Sequence, residues 1–431
     1  MEFSRAHWSA SALVLAALAA YANAFLGAFQ FDDFNVIVRQ GAVHSLPAWW
    51  DSMPGIRPLL KLSYALSWSA GGGGTFAFHA VNVALHAANA LLVWALLQEI
   101  WRRAGIKEAA FAAFAGALLF ALHPANTEAV TYISGRSVSM MAFFYLGSVL
   151  AYLRGGPRWL SPLLFLAALA TKEVAATLPL ALLLCDALDV RRPFDLRAAL
   201  KRQALHWLVL AVAILMMAAI ARYREMLETS LALRGMAEQL ALQAAAIARH
   251  AGVLILAVPP NIDPEVPFVP AVAGLAILAA IAVGLVLARI QPWYALALLW
   301  FFLHLAPTNS FLARADAVND RQIYLAAIGP LALAGLAIAL TPRWRLVLAG
   351  LTALVLGAAT VARNQDYRTE VVLWSDTVRK SPGSARAWNN LGYAHQQEGR
   401  REAARTAYER ALALDPQHVQ ARSNLELINR P

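Results

Sequence analysis

Long apolar runs, separated by short clusters of arginine and lysine, fill the chain from near its start to about position 361. Residues 8–29, 76–97 and 207–221 are the clearest of them. A helix needs roughly 20 such residues to cross about 30 Å of hydrocarbon. In lipid every backbone N–H and C=O must find its partner within the protein, so such runs fold as helices. The chain therefore reads as an all-α, polytopic membrane helical bundle. Composition agrees: of 431 residues 60% are hydrophobic and 14% charged, against about 45–50% and roughly 25% in a soluble domain. The net charge of +10 does not point to nucleic acid, because no basic stripe interleaved with aromatics accompanies it. The single cysteine, Cys185, lies in an apolar run, rules out an intrachain disulfide and reads as a small buried hydrophobe.

The basic clusters set the topology. They are Arg5, Arg102/Arg103/Lys107, Arg154/Arg158, the run from Arg191 to Arg202, Arg289 and Arg343/Arg345, and the positive-inside tendency puts all of them in the cytoplasm. Neighbouring clusters must then enclose an even number of crossings. This pairs 111–122 with 140–153, and 159–170 with 175–188. Between Arg202 and Arg289 lie three apolar segments, 207–221, 240–258 and 271–287, of which parity admits two. The middle one is read as interfacial or re-entrant, because residues 222–250 mix charged and apolar residues at helical spacing, as a surface-lying amphipathic helix does. With 293–305, 324–340 and 346–361, about eleven crossings are expected. The N-terminus is then cytoplasmic and the C-terminus extracytoplasmic, periplasmic for a protein of a bacterial inner membrane. Arg5, the apolar stretch after it and Ala22-Asn23-Ala24 imitate a signal peptide, but the run continues through Phe25, Leu26 and Phe29 and is read as a retained anchor.

Beyond residue 361 the composition turns polar and helix-forming. Trp388, Leu391, Gly392, Gly399, Ala404, Tyr408, Ala411 and Pro416 match one 34-residue tetratricopeptide repeat, with large residues filling the contact between two helices and small ones letting them approach. His395 departs from the tyrosine the pattern prefers. Trp374 and Pro382 upstream, and Leu425 downstream, supply half-repeats. The expected division is a membrane domain at 1–363 and a repeat domain at 364–431, with the full repeat at 385–418. Two readings of so short an array stand: a cap packed on the membrane domain, or a docking face for a peptide.

Ionisable groups near a bilayer are functional candidates by default. Phe31-Asp32-Asp33-Phe34 opens the first outer loop, where flanking aromatics limit hydration and raise a carboxylate's proton affinity, which suits a general base. The same loop carries Arg57-Pro58, a candidate anion ligand. The next helix carries His79, Asn82, His86 and Asn89 at spacings of three, four and three, which form a polar stripe. Interhelical hydrogen bonding and the lining of a cavity for a polar head group both account for it. His123-Pro124, Glu128, Arg136, Lys172-Glu173 and Asn319-Asp320-Arg321-Gln322-Ile323-Tyr324 all fall on the same outer face by parity. Two oxygen ligands alone, with His123 distant in sequence, do not make a metal site.

Taken in order, Phe31-Asp32-Asp33, Arg57-Pro58-Leu59, Phe78-His79-Ala80-Val81-Asn82 with His86, His123-Pro124 with Glu128-Ala129-Val130 and Gly135-Arg136, then Lys172-Glu173, resemble the transmembrane and tetratricopeptide-repeat protein O-mannosyltransferases. These belong to the GT-C superfamily of polytopic glycosyltransferases. The resemblance implies about eleven crossings and an active site on the lumenal or periplasmic face. It implies a sugar donor carried on a polyprenyl phosphate, and a hydroxyl acceptor, often Ser or Thr of a protein. It makes Asp32 the catalytic base, with Asp33 as its neighbour and alternative base, matches Glu128 to the acidic residue of the second outer loop, and places Lys172 and Arg321 toward the lipid phosphate. The family typically reads Glu-Arg-Tyr-hydrophobic-Tyr where this chain has Asp320-Arg321-Gln322-Ile323-Tyr324, and often carries longer repeat arrays.

The expected chemistry is inverting transfer of a hexose such as mannose. Asp32 would take the hydroxyl proton, and Arg321 and Lys172, with Arg136 or Arg57, would stabilise the departing phosphate. No Gly-rich phosphate loop is present, which accords with a lipid-linked donor rather than a nucleotide sugar. Transfer to a glycan or lipid acceptor is a further reading. A lipid flippase would place charges at mid-bilayer and repeat its helix pattern, and a scaffold would give the outer-face charges no reason to converge.

Overall fold

A computed structural model describes residues 2–430 except 54, 190, 192, 267–269 and 315. The side chain of Arg5, and Arg192 altogether, lie outside the described residues. Everything regular among the described residues is helical.

Five helices are long and apolar enough to cross a membrane: His7–Leu26, Phe76–Arg103, Ile133–Leu153, Val272–Ile290 and Arg345–Gln365. Three further spans are each broken by a bend: Ala109–Leu122 with Pro124–Val130 at 53°, Leu196–Arg202 with Ala204–Ala219 at 67°, and Asp320–Ala326 with Ile328–Ala339 at 57°. The chain thus has five such helices among the described residues, or up to eight with each bent pair taken as one span. Leu160–Thr171 and Pro292–Leu305 are apolar but shorter. Met236–Leu254 is helical but is not among the crossing helices. It buries Gln239, Gln243, Arg249 and His250 against the 310–322 segment. The helix before it, Ala221–Leu233, buries no residue.

Helix Ala109–Leu122 packs on Ile328–Ala339 at a point where two glycines meet. A Cβ on Gly335 would stand 2.3 Å from the backbone nitrogen of Gly116, so only glycine permits this approach, as at other small-residue crossings in membranes. The helices around this pair bury Phe120, Tyr145, Trp300 and Tyr324 in one core. Val272–Ile290 and Arg345–Gln365 keep long apolar faces exposed, including Leu275 and Leu346, as lipid-facing helices do.

The polar stripe of Phe76–Arg103 lies inside this bundle. The His79 ring nitrogen Nε2 bonds to the carbonyl of Gly27 at 3.1 Å. Asn82 donates to the carbonyls of Val130 and Ile133 at 3.0 and 3.2 Å. His86 meets the Tyr324 hydroxyl at 2.8 Å and the Ala121 carbonyl at 3.0 Å. Asn89 donates to the carbonyl of Ser139 and the hydroxyl of Tyr324. All four side chains thus bond to neighbouring segments, while His79 Nδ1 and Asn89 Oδ1 have no hydrogen-bond partner among the described residues.

At the C-terminal end, Ala385–Gln397 and Arg401–Leu414 form the helix pair of the repeat, with Glu370–Lys380 before it and Val419–Asn429 after it. Gly392 lies under the Tyr408 ring, where a Cβ would stand 2.6 Å from it.

Candidate active site

The first crossing helix ends in a tight turn at Ala22–Leu26, and the chain then runs to Phe31, whose φ is 47°. The two aspartates that follow are adjacent in sequence and differ in surroundings. Asp33 is wholly buried. Its Oδ1 accepts from the backbone N–H of Ser134 at 2.8 Å and from the Ser134 hydroxyl, and its Oδ2 accepts from the N–H of Gln30 at 3.0 Å. Burial pushes its carboxyl up to about 7, while these donors favour the ionised form. Asp32 keeps 37% of its side chain exposed and faces Arg321 at 3.8 Å. Burial raises its proton affinity, and the Arg321 guanidinium works in the opposite direction. Its own N–H donates to the Tyr132 hydroxyl at 2.9 Å.

Arg321 joins three chain segments far apart in sequence. Its backbone N–H donates to Glu128 Oε2 at 3.1 Å, and its Nε stands 3.6 Å from Glu128 Oε1. Its guanidinium lies over the Tyr132 ring, 5.6 Å from the centroid. Glu128 is buried in the short helix Thr127–Val130, and Gly135 passes so close that a Cβ there would meet the Glu128 carbonyl at 2.0 Å. Two carboxylates therefore flank one guanidinium: Glu128 fixes its position, and Asp32 meets it at an open edge.

Lys172 is buried, and among the described residues its ammonium has one neighbour at hydrogen-bond distance, the Ser137 hydroxyl at 3.4 Å. Burial, and then the positive charges of Arg321, Arg57 and Arg314, hold it well below the usual lysine range. Arg314 is a residue that the sequence reading missed. Its side chain has no hydrogen bond or ion pair among the described residues, and burial and the charges of Arg321 and Arg57 depress its proton affinity. Asp316, also missed, pairs with Arg386 of the repeat. Parity places residues 306–322 on the same face as Asp32, and that was the available signal for Arg314 and Asp316. Lys172 and Arg314 have no carboxylate within ion-pair distance among the described residues; each feels the positive charges of Arg321 and Arg57, with Glu173 offsetting them in part, a setting that favours an anionic group.

Other expected phosphate ligands are engaged elsewhere. Arg57 is clamped by Glu173, with contacts of 2.9, 3.2 and 2.8 Å, and the Tyr223 hydroxyl donates to the same carboxylate at 2.8 Å. Burial opposes ionisation of Glu173, but Arg57 overrides it and brings its carboxyl down to about 2. Arg136 is fully buried. It donates to Asn82 Oδ1 at 2.7 Å, Ser67 Oγ at 3.0 Å and the carbonyls of Ser63 and Phe78 at 2.9 Å, between the rings of Tyr64 and Phe78. His123 bonds to the Leu254 carbonyl and the Ala125 N–H, and Tyr324 to His86 and Asn89. Arg136, His123, Tyr324, His79 and His86 thus bond to neighbouring segments, while Arg57, held by Glu173, adds its positive charge at Lys172 and Arg314. Among the described residues, no three His, Cys, Asp or Glu side chains group closely enough to hold a metal ion.

Residues 385–418 match the tetratricopeptide repeat family. The chain is 39% identical over 144 residues to the protein O-mannosyl-transferase Tmtc1 of Drosophila melanogaster, a stretch covering 32% of this chain and 16% of that protein. It is 34% identical over 204 residues to Drosophila Tmtc2, covering 40% and 20%. Against human TMTC1 it is 32% identical over 163 residues, covering 34% and 18%. The similarity thus spans a fifth or less of the length of these relatives. No solved structure matches the chain. Over about a third of its length, and with a tetratricopeptide repeat besides, this membrane-helical chain resembles the transmembrane and tetratricopeptide-repeat protein O-mannosyl-transferases.

Proposed function

We propose that the protein is an inverting glycosyltransferase that moves a hexose, mannose by the resemblance, from a polyprenyl-phosphate donor to a Ser or Thr hydroxyl of a protein. The observation that carries this reading is the meeting of a half-exposed carboxylate, Asp32, with Arg321 at 3.8 Å, in a region where Lys172 and Arg314 have no ion-pair partner among the described residues. A base and an anion site side by side are what attack on a sugar phosphate requires.

In this reading ionised Asp32 accepts the proton of the acceptor hydroxyl. The oxygen forms a bond to the anomeric carbon from one face while the bond to the phosphate oxygen breaks on the other. The bonding electrons leave with the polyprenyl phosphate, whose added negative charge is stabilised by preorganised Arg321, Lys172 and Arg314. Base assistance contributes about 10²–10⁴-fold. Glu128 holds Arg321, and Asp33 holds the turn that presents Asp32. Residues 1–363 would form the GT-C-like catalytic domain of about eleven crossings in a bacterial inner membrane, with its N-terminus cytoplasmic. Residues 364–431 would form a periplasmic repeat domain that meets the protein acceptor.

The test is transfer of radiolabelled mannose from polyprenyl-phosphate mannose to a Ser/Thr peptide by the purified protein in nanodiscs, beside Asp32→Asn. Transfer by the wild type that collapses in the variant is expected. A wild type that releases no polyprenyl phosphate under any acceptor, or a fully active variant, refutes the proposal.

A further inference from the structure

Phe31, immediately before Asp32, has φ 47°. A bulky side chain adopts that left-handed conformation only where its surroundings impose it. The surroundings are supplied by residues 367–374, more than three hundred positions away. The Ala28 N–H donates to the Arg368 carbonyl at 3.3 Å, the Gln30 side-chain amide donates to the Tyr367 carbonyl, and the Phe31 N–H donates to Glu370 Oε1 at 2.9 Å. The Phe31 ring stands edge-on to Trp374, with centroids 5.3 Å apart and planes at 78°. Trp374 is itself 2% exposed and shares a cluster with Leu373, Tyr367 and Leu391 of the repeat. The turn bearing Asp32 is thus gripped on one side through Asp33 and Ser134, and on the other by the helix Glu370–Lys380.

We propose that Glu370 and Trp374 are positioning residues for Asp32, so that the helix leading into the repeat is part of the apparatus that aims the carboxylate at Arg321. Glu370 fixes the Phe31 amide, and Trp374 fixes its ring. With either released, Phe31 relaxes toward negative φ, and the backbone rotation swings Asp32 away from Arg321. The proposal rests on Asp32 acting as the base.

The experiment uses the full chain in nanodiscs as wild type, Trp374→Ala, Trp374→Phe and Glu370→Ala, the last expected to behave as Trp374→Ala because it removes the oxygen that accepts the Phe31 N–H. It measures kcat and KM for donor and peptide acceptor, together with hydrogen–deuterium exchange over residues 27–40. A misplacement of about 1 Å can cost on the order of 10²-fold in rate, so Trp374→Ala is expected to lower kcat by about that factor. Its KM values should stay within about twofold of wild type. Trp374→Phe, which keeps an edge-on ring, should recover most of the rate, and exchange at the Asp32 and Asp33 amides should quicken in Trp374→Ala. An acceptor KM that rises while kcat is retained would mean that this helix grips the acceptor instead, and overturns the proposal. Unchanged exchange over 27–40 in Trp374→Ala also overturns it. If the wild type shows no transfer, the glycosyltransferase reading falls separately, and the exchange arm still decides whether Trp374 holds the Asp32 turn.

Discussion

Replacing Asp32 and Asp33 one at a time with asparagine separates chemistry from architecture, because the two carboxylates differ in what they contact. Asp32 has 37% of its side chain exposed and one ion pair at 3.8 Å, a contact worth at most about 1 kcal/mol to stability. Asp32→Asn should therefore unfold within a degree or two of wild type while kcat falls by about 10²–10⁴-fold. Asp33 has both oxygens occupied by donors on opposite sides: two from Ser134 on Oδ1, and the Gln30 N–H on Oδ2. Asparagine offers one oxygen and one NH2, so at least one buried N–H faces another donor in either orientation. An orphaned buried donor costs about 1–3 kcal/mol. Asp33→Asn should shift thermal unfolding by two opposed effects, the orphaned donor destabilising and the relief of a buried charge above pH 7 stabilising, and should lower activity through the shifted turn, with partial recovery in an osmolyte that favours the compact state. The assay is sugar transfer paired with unfolding on the same nanodisc preparation. If Asp33→Asn unfolds like wild type while abolishing turnover, and Asp32→Asn keeps full activity, the assignment of base and support is reversed and the reasoning is refuted.

Replacing Lys172 or Arg314 with methionine removes a cation without opening a large cavity. Loss of one charge-assisted bond to phosphate, about 1.5–3 kcal/mol, should weaken binding of polyprenyl phosphate roughly 10–100-fold in a direct titration, with little change in affinity for a neutral polyprenol. Glu173 has its folded carboxyl depressed to about 2 from an ordinary 4.5, so its contribution is present above pH 4.5 and lost as pH falls from there toward 2. The shift corresponds to about 3 kcal/mol, and Glu173→Gln should unfold earlier at pH 7 and lose less stability on acidification than wild type. Gly335→Ala would drive a Cβ to within 2.3 Å of the Gly116 nitrogen. The helices must part, with an expected loss of about 1–3 kcal/mol in detergent thermal unfolding.

Asp32, Glu128 and Arg321 were legible as candidates because each is an ionisable group beside an apolar run, and the parity of basic clusters put all three on one face. The end of the helix at Leu122 was legible as well, since His123-Pro124 interrupts it; that the chain continues there at a 53° bend is a finding of the structure. His79, His86, Arg57 and Arg136 carried the same kind of signal and proved to have protein partners. Sequence reports that a polar group sits in an apolar setting; it does not report whether its hydrogen bonds go to another helix or to a ligand. The expected count of crossings meets a similar limit. Charge parity assigns faces, whereas bent pairs and short helices depend on how neighbours pack.

Local patterns thus determined the helical membrane bundle, the repeat at 385–418 and the acidic turn after the first crossing, because periodicity, hydropathy and repeat spacing act over tens of residues and survive without a partner. Tertiary structure alone decided which aspartate stays half-exposed and which is locked by Ser134, a hundred positions away. It also decided that Arg314 has no ion-pair partner among the described residues, and that Trp374 stands edge-on to Phe31. Those outcomes depend on desolvation and on contacts between segments more than three hundred residues apart, such as Phe31 and Trp374, and neither exists until the helices have packed.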